Sequence, residues 1–298
     1  MKQIALTVAV ISSLMLASCQ ETEELSCVHP EPMNVGVTVA LEQTRAVNHG
    51  TELASGEKIG VFVTNTDGTS YDGQGYNNIA YTASGTGSAQ KWTAGSQVLL
   101  SSTVGKAVAY YPYGTASDPA AISVSANTQD YMYSGWVNGI SNAAPNATFQ
   151  MKHALTAIAI TMKKGNYTGA GTVTAISIQS GGFGKAGTLN ATTGALSAVT
   201  GANETVTWSG SFAMNTTGTS NEILVVPNGT KGMGMTVNIT IDGKNYSTTV
   251  AMDATAAYAQ GTIYTYTLTL NGTQLSVTDV SVTPWATTDK GNSEVKPA

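Results

Sequence analysis

Only 10% of the 298 residues are charged, arginine occurs once, and cysteine twice, with both cysteines, Cys19 and Cys27, ahead of residue 30. The body of the chain therefore has no thiol chemistry and no disulfide framework. A formal net charge of -5 and no clustered Lys and Arg exclude a nucleic-acid footprint. No long amphipathic stripe of helical period occurs either. The three histidines, His29, His49 and His153, lack metal-ligand spacing, and His153 reads as a satisfied structural residue among apolar neighbours. Gly181 to Gly187 contains a lysine not followed by Ser or Thr, so it is no phosphate loop and reads as a flexible hairpin loop. There is no serine nucleophile elbow and no carboxylate pair set by a motif; Asp67, Asp72 and Asp242 each precede Gly, which is turn chemistry. Neither a catalytic constellation nor a cofactor or metal site is present, and the chain reads as a non-enzyme.

What is present begins with an address. Met1-Lys2 gives a positive start, Ile4 to Leu16 an apolar run too short to span a membrane, and Leu16-Ala17-Ser18-Cys19 a small-residue site ending in cysteine. That end resembles the lipobox of bacterial lipoproteins, in which the cysteine is acylated and becomes the new N-terminus. Residues 1–18 are then a signal peptide and Cys19 a membrane anchor. The acidic run Gln20 to Glu24 resembles the surface-export tags of Bacteroidetes lipoproteins, and is equally met by a solvated linker. With Pro30 and Pro32, it reads as an extended tether.

Val35, Val37, Val39 and Leu41 recur at period two, the pattern of a strand with one buried face. Burying the four would contribute roughly 6 to 12 kcal/mol, at about 1.5 to 3 kcal/mol each. Four residues on is Arg45, the sole arginine, so a protease cutting after arginine would have one site, just past this strand. An ordinary first strand followed by a surface arginine meets the same spacing.

From Lys58 onward short apolar runs alternate with turn dipeptides, which predicts an all-β sandwich or barrel. Strands are expected at Ile59 to Val63, Gln97 to Leu100, Ala107 to Tyr111 with Pro112 as terminator, Ala121 to Val124 and Tyr131 to Trp136. A long strand is expected over Phe149 to Met162, and others at Val173 to Ile178 and Glu222 to Pro227. Asp242-Gly243 and Asn271-Gly272 mark hairpins. At Asp279 the alternation shifts by one, from Leu275 and Val277 to Val280 and Val282, which predicts a bulge. Pro145 and its polar neighbours divide the chain into domains over 46–147 and 148–298. Tyr110, Tyr111, Tyr113, Tyr131, Tyr133 and Trp136 form a candidate sugar platform, which strand-core aromatics explain as well.

The lipobox, the arginine after a first strand, Ile59-Gly60-Val61-Phe62, Tyr110-Tyr111-Pro112-Tyr113, Phe149 with His153-Ala154-Leu155, Tyr264-Thr265-Tyr266 and Val280-Ser281-Val282 leading to Trp285 together resemble the fimbrillin family of Bacteroidales, the type V pilins. That resemblance implies two tandem transthyretin-like β-sandwiches, export as an outer-membrane lipoprotein, and proteolysis after arginine that removes a first strand, to be replaced by a strand of the next subunit. In this numbering Cys19 is the lipidation site, and residues 19–45 are the tether and propeptide. Arg45 and Ala46 flank the cleavage, Val35, Val37, Val39 and Leu41 belong to the released strand, and Leu275, Val277, Val280, Val282 and Trp285 to the donor. The implied partners are other copies and related pilins, an arginine-specific protease, the outer membrane before processing, and an adhesion ligand. The alternatives are a tip or anchor subunit, or a monomeric surface lipoprotein binding a glycan or host protein.

Overall fold

The computed structural model describes residues 29–39, 52–127 and 129–284. The first ten strands are β1 (Glu31–Pro32), β2 (Asn34–Val39), β3 (Lys58–Asn65), β4 (Ile79–Ser84), β5 (Lys91–Ala94), β6 (Leu99–Leu100), β7 (Gly105–Tyr111), β8 (Ile122–Ser125), β9 (Met132–Ile140) and β10 (Asn146–His153). Eleven more follow: β11 (Thr156–Lys164), β12 (Thr172–Gln179), β13 (Phe183–Gly184), β14 (Ala186–Leu189), β15 (Leu196–Thr200), β16 (Val206–Ala213), β17 (Thr219–Pro227), β18 (Met235–Ile241), β19 (Lys244–Val250), β20 (Thr262–Asn271) and β21 (Gln274–Pro284). Among the described residues the helical segments are two single 3₁₀ turns, Tyr71–Gly73 and Gly87–Ala89. The all-β class expected from the turn-punctuated apolar runs is the class observed.

The N-terminal lobe is a seven-stranded sheet in the order β2-β10-β9-β7-β3-β4-β5, with the short pair β1-β6 beside it. Strand β10 shows why these sequences become strands. Its residues Asn146 to His153 alternate strictly between exposed and buried, with Ala147, Phe149, Met151 and His153 inward. Ala147, Phe149 and Met151 join Ile59, Val61, Tyr81 and Leu100 in one core. The sheet curls until its end strands, β2 and β5, touch. The C-terminal lobe stacks a five-stranded sheet, β13-β17-β11-β20-β21, on a four-stranded one, β16-β12-β18-β19. Ile158, Ile176, Val225, Ile239 and Leu268 are among the side chains that fill the space between them.

Three segments depart from the sequence expectations. The run Phe149 to Met162 is two strands, because Ala154-Leu155 carries the chain from one lobe into the other. Strand β10 bonds to β2 and β9, whereas β11 bonds to β17 and β20. The crossing thus lies seven residues past the 147/148 division read from Pro145. The glycine-rich run from Gly181, expected as a flexible loop, is packed: Phe183 is buried and Phe183–Gly184 pairs with Val226 and Pro227. A Cβ on Gly184 would lie 2.3 Å from the Thr200 carbonyl oxygen, so close backbone approach, not mobility, requires the glycine. Finally, Glu31–Pro32 is not free tether but a strand paired with Leu99–Leu100.

The lobes are not independent beads. Strand β8, from the N-terminal half of the sequence, is an outer strand of a three-stranded sheet β15-β14-β8 whose other members come from the C-terminal half. Beneath it a third core gathers Phe62, Val108, Ile122, Leu155, Leu189 and Val226 from both halves. At the far end of the C-terminal lobe, the predicted Asp242-Gly243 turn closes β18 onto β19 with both residues at positive φ. The Asp242 carboxylate accepts hydrogen bonds from the Gly171 and Thr172 N–H groups and from the Tyr167 hydroxyl, all at 2.8 Å. These donors, the backbone ones first, hold the Asp242 carboxyl below the usual carboxylate range.

Two outcomes follow from this packing. Leu155→Ala, which empties a fully buried position in the shared core, lowers unfolding stability by about 2 to 5 kcal/mol in denaturant titration. The depressed pKa of Asp242 supplies stability that is present above the ordinary carboxylate value near 3.9 and is lost as pH falls through the lower folded value. Urea midpoints measured from pH 6 down to 2 therefore fall more steeply for the native chain than for Asp242→Asn.

Candidate assembly interface: the first strand and the last

The segment Glu31–Val39 crosses from one side of the N-terminal lobe to the other. β1 bonds antiparallel to β6, the Met33 N–H donates to the Val98 carbonyl at 2.9 Å, and β2 then runs parallel to β10 from Asn34↔Asn146 to Val39↔Met151. The entry to β2 is fixed by the Asn34 N–H donating to the Pro145 carbonyl at 2.8 Å, and by its side-chain amide donating to Asn146 Oδ1 at 3.2 Å. Met33 and Val39 are buried, and Val35 and Val37 are half-buried against the same core. Met33 extends the period-two series of Val35, Val37 and Val39 by one step. That signal was open to sequence reading and was obscured by the neighbouring Pro32.

β2 is the terminal strand of its sheet, so β10 is its sole hydrogen-bonding neighbour; its other flank meets β5. Taking it away would leave the β10 edge unpaired and open a core that includes Leu100, Phe149 and Met151. Leu41, Arg45 and Ala46 lie outside the described residues, between Val39 and Glu52, as do Cys19 and Cys27.

β21 is the terminal strand of the five-stranded sheet, antiparallel to β20 around Asn271-Gly272. The predicted bulge is there: Leu268 faces Val277 but Thr267 faces Asp279, so Thr278 is the extra residue. Its hydroxyl donates to the Thr267 carbonyl at 3.2 Å. The bulge compensates for the shift in sequence parity. Leu275 and Val277 sit opposite Leu270 and Leu268, while Val280 and Val282 sit opposite Tyr266 and Tyr264, all buried partners. Directly opposed residues share a face, so all four point inward. Their surroundings differ, however. Leu275 and Val277 pack on the C-terminal core, whereas Val280 is 48% and Val282 55% exposed. Trp285 lies outside the described residues.

Among the described residues no group of three His, Cys, Asp or Glu side chains could hold a metal ion, and no helix is long and apolar enough to cross a membrane. His153, buried, meets Asp130 through Nδ1 at 2.6 Å. The candidate sugar platform disperses. Tyr110 and Tyr111 are buried, with hydroxyls bonded to Asn78 and Glu57, and Trp136 lies under the Lys106 ammonium at 4.7 Å.

Solved structures share this architecture. The crystal structure of a candidate cell adhesion protein from Bacteroides uniformis matches 86% of this chain and 99% of its own at 27% identity, with a TM-score of 0.63. Another, from Bacteroides ovatus, matches 87% of this chain and 99% of its own with a TM-score of 0.62; at 20% identity it speaks to the fold. The fold thus defines a class, the two-lobed all-β proteins that these structures share. Within that class the sequence of residues 44–285 matches the Fimbrillin-like family, and the chain belongs to it. A fimbrium subunit candidate of Bacteroides uniformis, Fim1C, is 29% identical over 297 residues, covering 91% of each chain. Membership places this chain in a family of fimbrial subunits of the cell surface.

The two edges differ in how far each side chain is seated, which sets a contrast. Val39→Asp places an unpaired charge in a buried site and costs about 3 kcal/mol or more, whereas Val280→Asp costs about 1 kcal/mol or less. Thermal unfolding of the two variants against the native chain measures the difference.

Proposed function

We propose that the chain is a shaft subunit of the fimbrium, without catalytic activity, that polymerises by exchanging strands after proteolysis. In this reading acylated Cys19 holds the precursor at the outer membrane, and an arginine-specific protease cuts between Arg45 and Ala46. The segment with Val35, Val37, Val39 and Leu41 leaves, and β21 of the next subunit takes its place. The observation that carries the reading is the one-sided attachment of β2, whose loss exposes a backbone edge and an apolar core together. Such an edge favours capture of an extended segment, since each backbone bond is restored as a pocket is refilled. The family match begins at residue 44, so β1 and β2 stand outside it while β21 stands inside.

For the donor, the part beyond the Thr278 bulge is the part free to exchange. Leu275 and Val277 are packed at home, while Val280 and Val282 have an inward face with little on it. Moving that part breaks its pairs with Thr262 to Thr267 and forms a similar number with β10 of the neighbour. The gain is burial of two half-exposed valines, roughly 1 kcal/mol each, with Trp285 as the third large apolar residue of the segment. Head-to-tail donation does not close on itself, and so builds a filament.

Mass spectrometry of the N-terminus in shed surface material, with the unheated sample on a denaturing gel, tests this. The expected result is a start at Ala46 and a ladder of multimers. Arg45→Ala abolishes the ladder, and Val280→Asp with Val282→Asp abolishes it while leaving the Ala46 start in place. An acylated Cys19 start with a single band from the native chain overturns the shaft role.

A further inference from the structure

The six aromatics of the Tyr110 to Trp136 region are not all absorbed by the core. Tyr113 and Tyr131, with an edge of the buried Tyr110, line a cleft of about 380 Å³ between the turn after β7 and the start of β8. Tyr113 is 41% exposed. Pro112 adds an apolar surface beside the rings, and Thr115, Ser117 and Ser123 bring hydroxyls to the walls. None of the lining residues is charged. The nearest carboxylate in sequence, Asp118, is engaged locally, accepting the Ala120 N–H at 2.8 Å. The Tyr110 hydroxyl at the cleft is likewise occupied, donating to Asn78 or the Gly114 carbonyl at 2.9 and 3.1 Å. What the cleft offers a ligand is therefore aromatic and apolar surface ringed by neutral hydroxyls.

We propose that this cleft binds a neutral saccharide. The volume falls in the range of small-ligand sites, roughly 300 to 1,000 Å³. A hexose ring has an apolar face of C–H groups that lies against an aromatic ring, and a rim of hydroxyls that both donate and accept. An acidic sugar or a phosphorylated ligand would find no cation among the lining residues to pair with. A purely apolar ligand would leave the wall hydroxyls without partners. The uncharged, polyhydroxylated class is the one that satisfies both surfaces.

The cleft is formed within a single chain, so occupancy does not depend on strand exchange. Repetition along a filament would turn one weak site into many, raising avidity on a surface rich in the sugar. Function in adhesion rests on the fimbrial reading; binding itself does not.

Saturation-transfer NMR on the full-length, unpolymerised Arg45→Ala chain, with cellobiose, lactose, mannobiose and chitobiose as probes and sialyllactose as the acidic comparison, separates the two. At least one neutral disaccharide is expected to bind, with Tyr113→Ala weakening it by about tenfold or more. Tyr113→Phe, which keeps the ring, restores it, and Ser123→Trp, which fills the cleft, abolishes it with thermal unfolding unchanged. Absence of binding by all four neutral sugars, tighter binding of sialyllactose, or binding that survives both Tyr113→Ala and Ser123→Trp overturns the proposal, whatever becomes of the polymerisation ladder.

Discussion

A strand at the end of a sheet is held by one hydrogen-bonded ladder, while its side chains close the core as fully as those of an interior strand. β2 combines both conditions. Its backbone depends on β10 alone, yet Val39 is buried in the N-terminal core and Val35 and Val37 are half-buried against it. The same segment is thus the simplest to detach in hydrogen-bonding terms and among the costliest in apolar exposure. A site without this strand would demand a replacement, and the curl of the sheet sharpens that demand by bringing β5 against the other flank.

The C-terminal edge answers with the reverse condition. β21 is fully paired along one side, but beyond Thr278 its inward side chains find little to cover them. The bulge is what makes this possible. Without the extra residue, a strand whose apolar positions change parity would turn Val280 and Val282 to the outer face, among the threonines, and the strand would carry two short apolar rows instead of one long one.

Much of this was legible in the sequence because period-two alternation is a local signal. The strands around Ile59, Ala107 and Val173, the Asp242-Gly243 and Asn271-Gly272 turns and the bulge near Asp279 all fall where residue type and spacing put them. What escaped was non-local. Ala154-Leu155 is as apolar as its neighbours, so nothing in the run Phe149 to Met162 announces that the chain changes lobes there. Gly184 looks like a loop glycine until Thr200, sixteen residues away, is found against it. The membership of β8 in a sheet with β14 depends on a pairing across more than sixty residues, which no window of sequence contains. For the candidate edges, the valines were readable, but their unequal burial required knowing where the covering sheet stops. The aromatic cluster was likewise visible as composition, and which rings stay at the surface was settled by packing.

The shared sheet and the core beneath it have a mechanical meaning for a chain pulled along its length. Two lobes joined by a bare linker behave as separate springs, each bending about the hinge. Here β8 is laced to β14 and Leu155 is clamped between Phe62, Leu189 and their neighbours. Load entering one lobe is therefore shared in shear across several strands before reaching the next. Bending between lobes tied in this way is restrained, so in a fibre built from such subunits the bending is expected at the junctions between molecules.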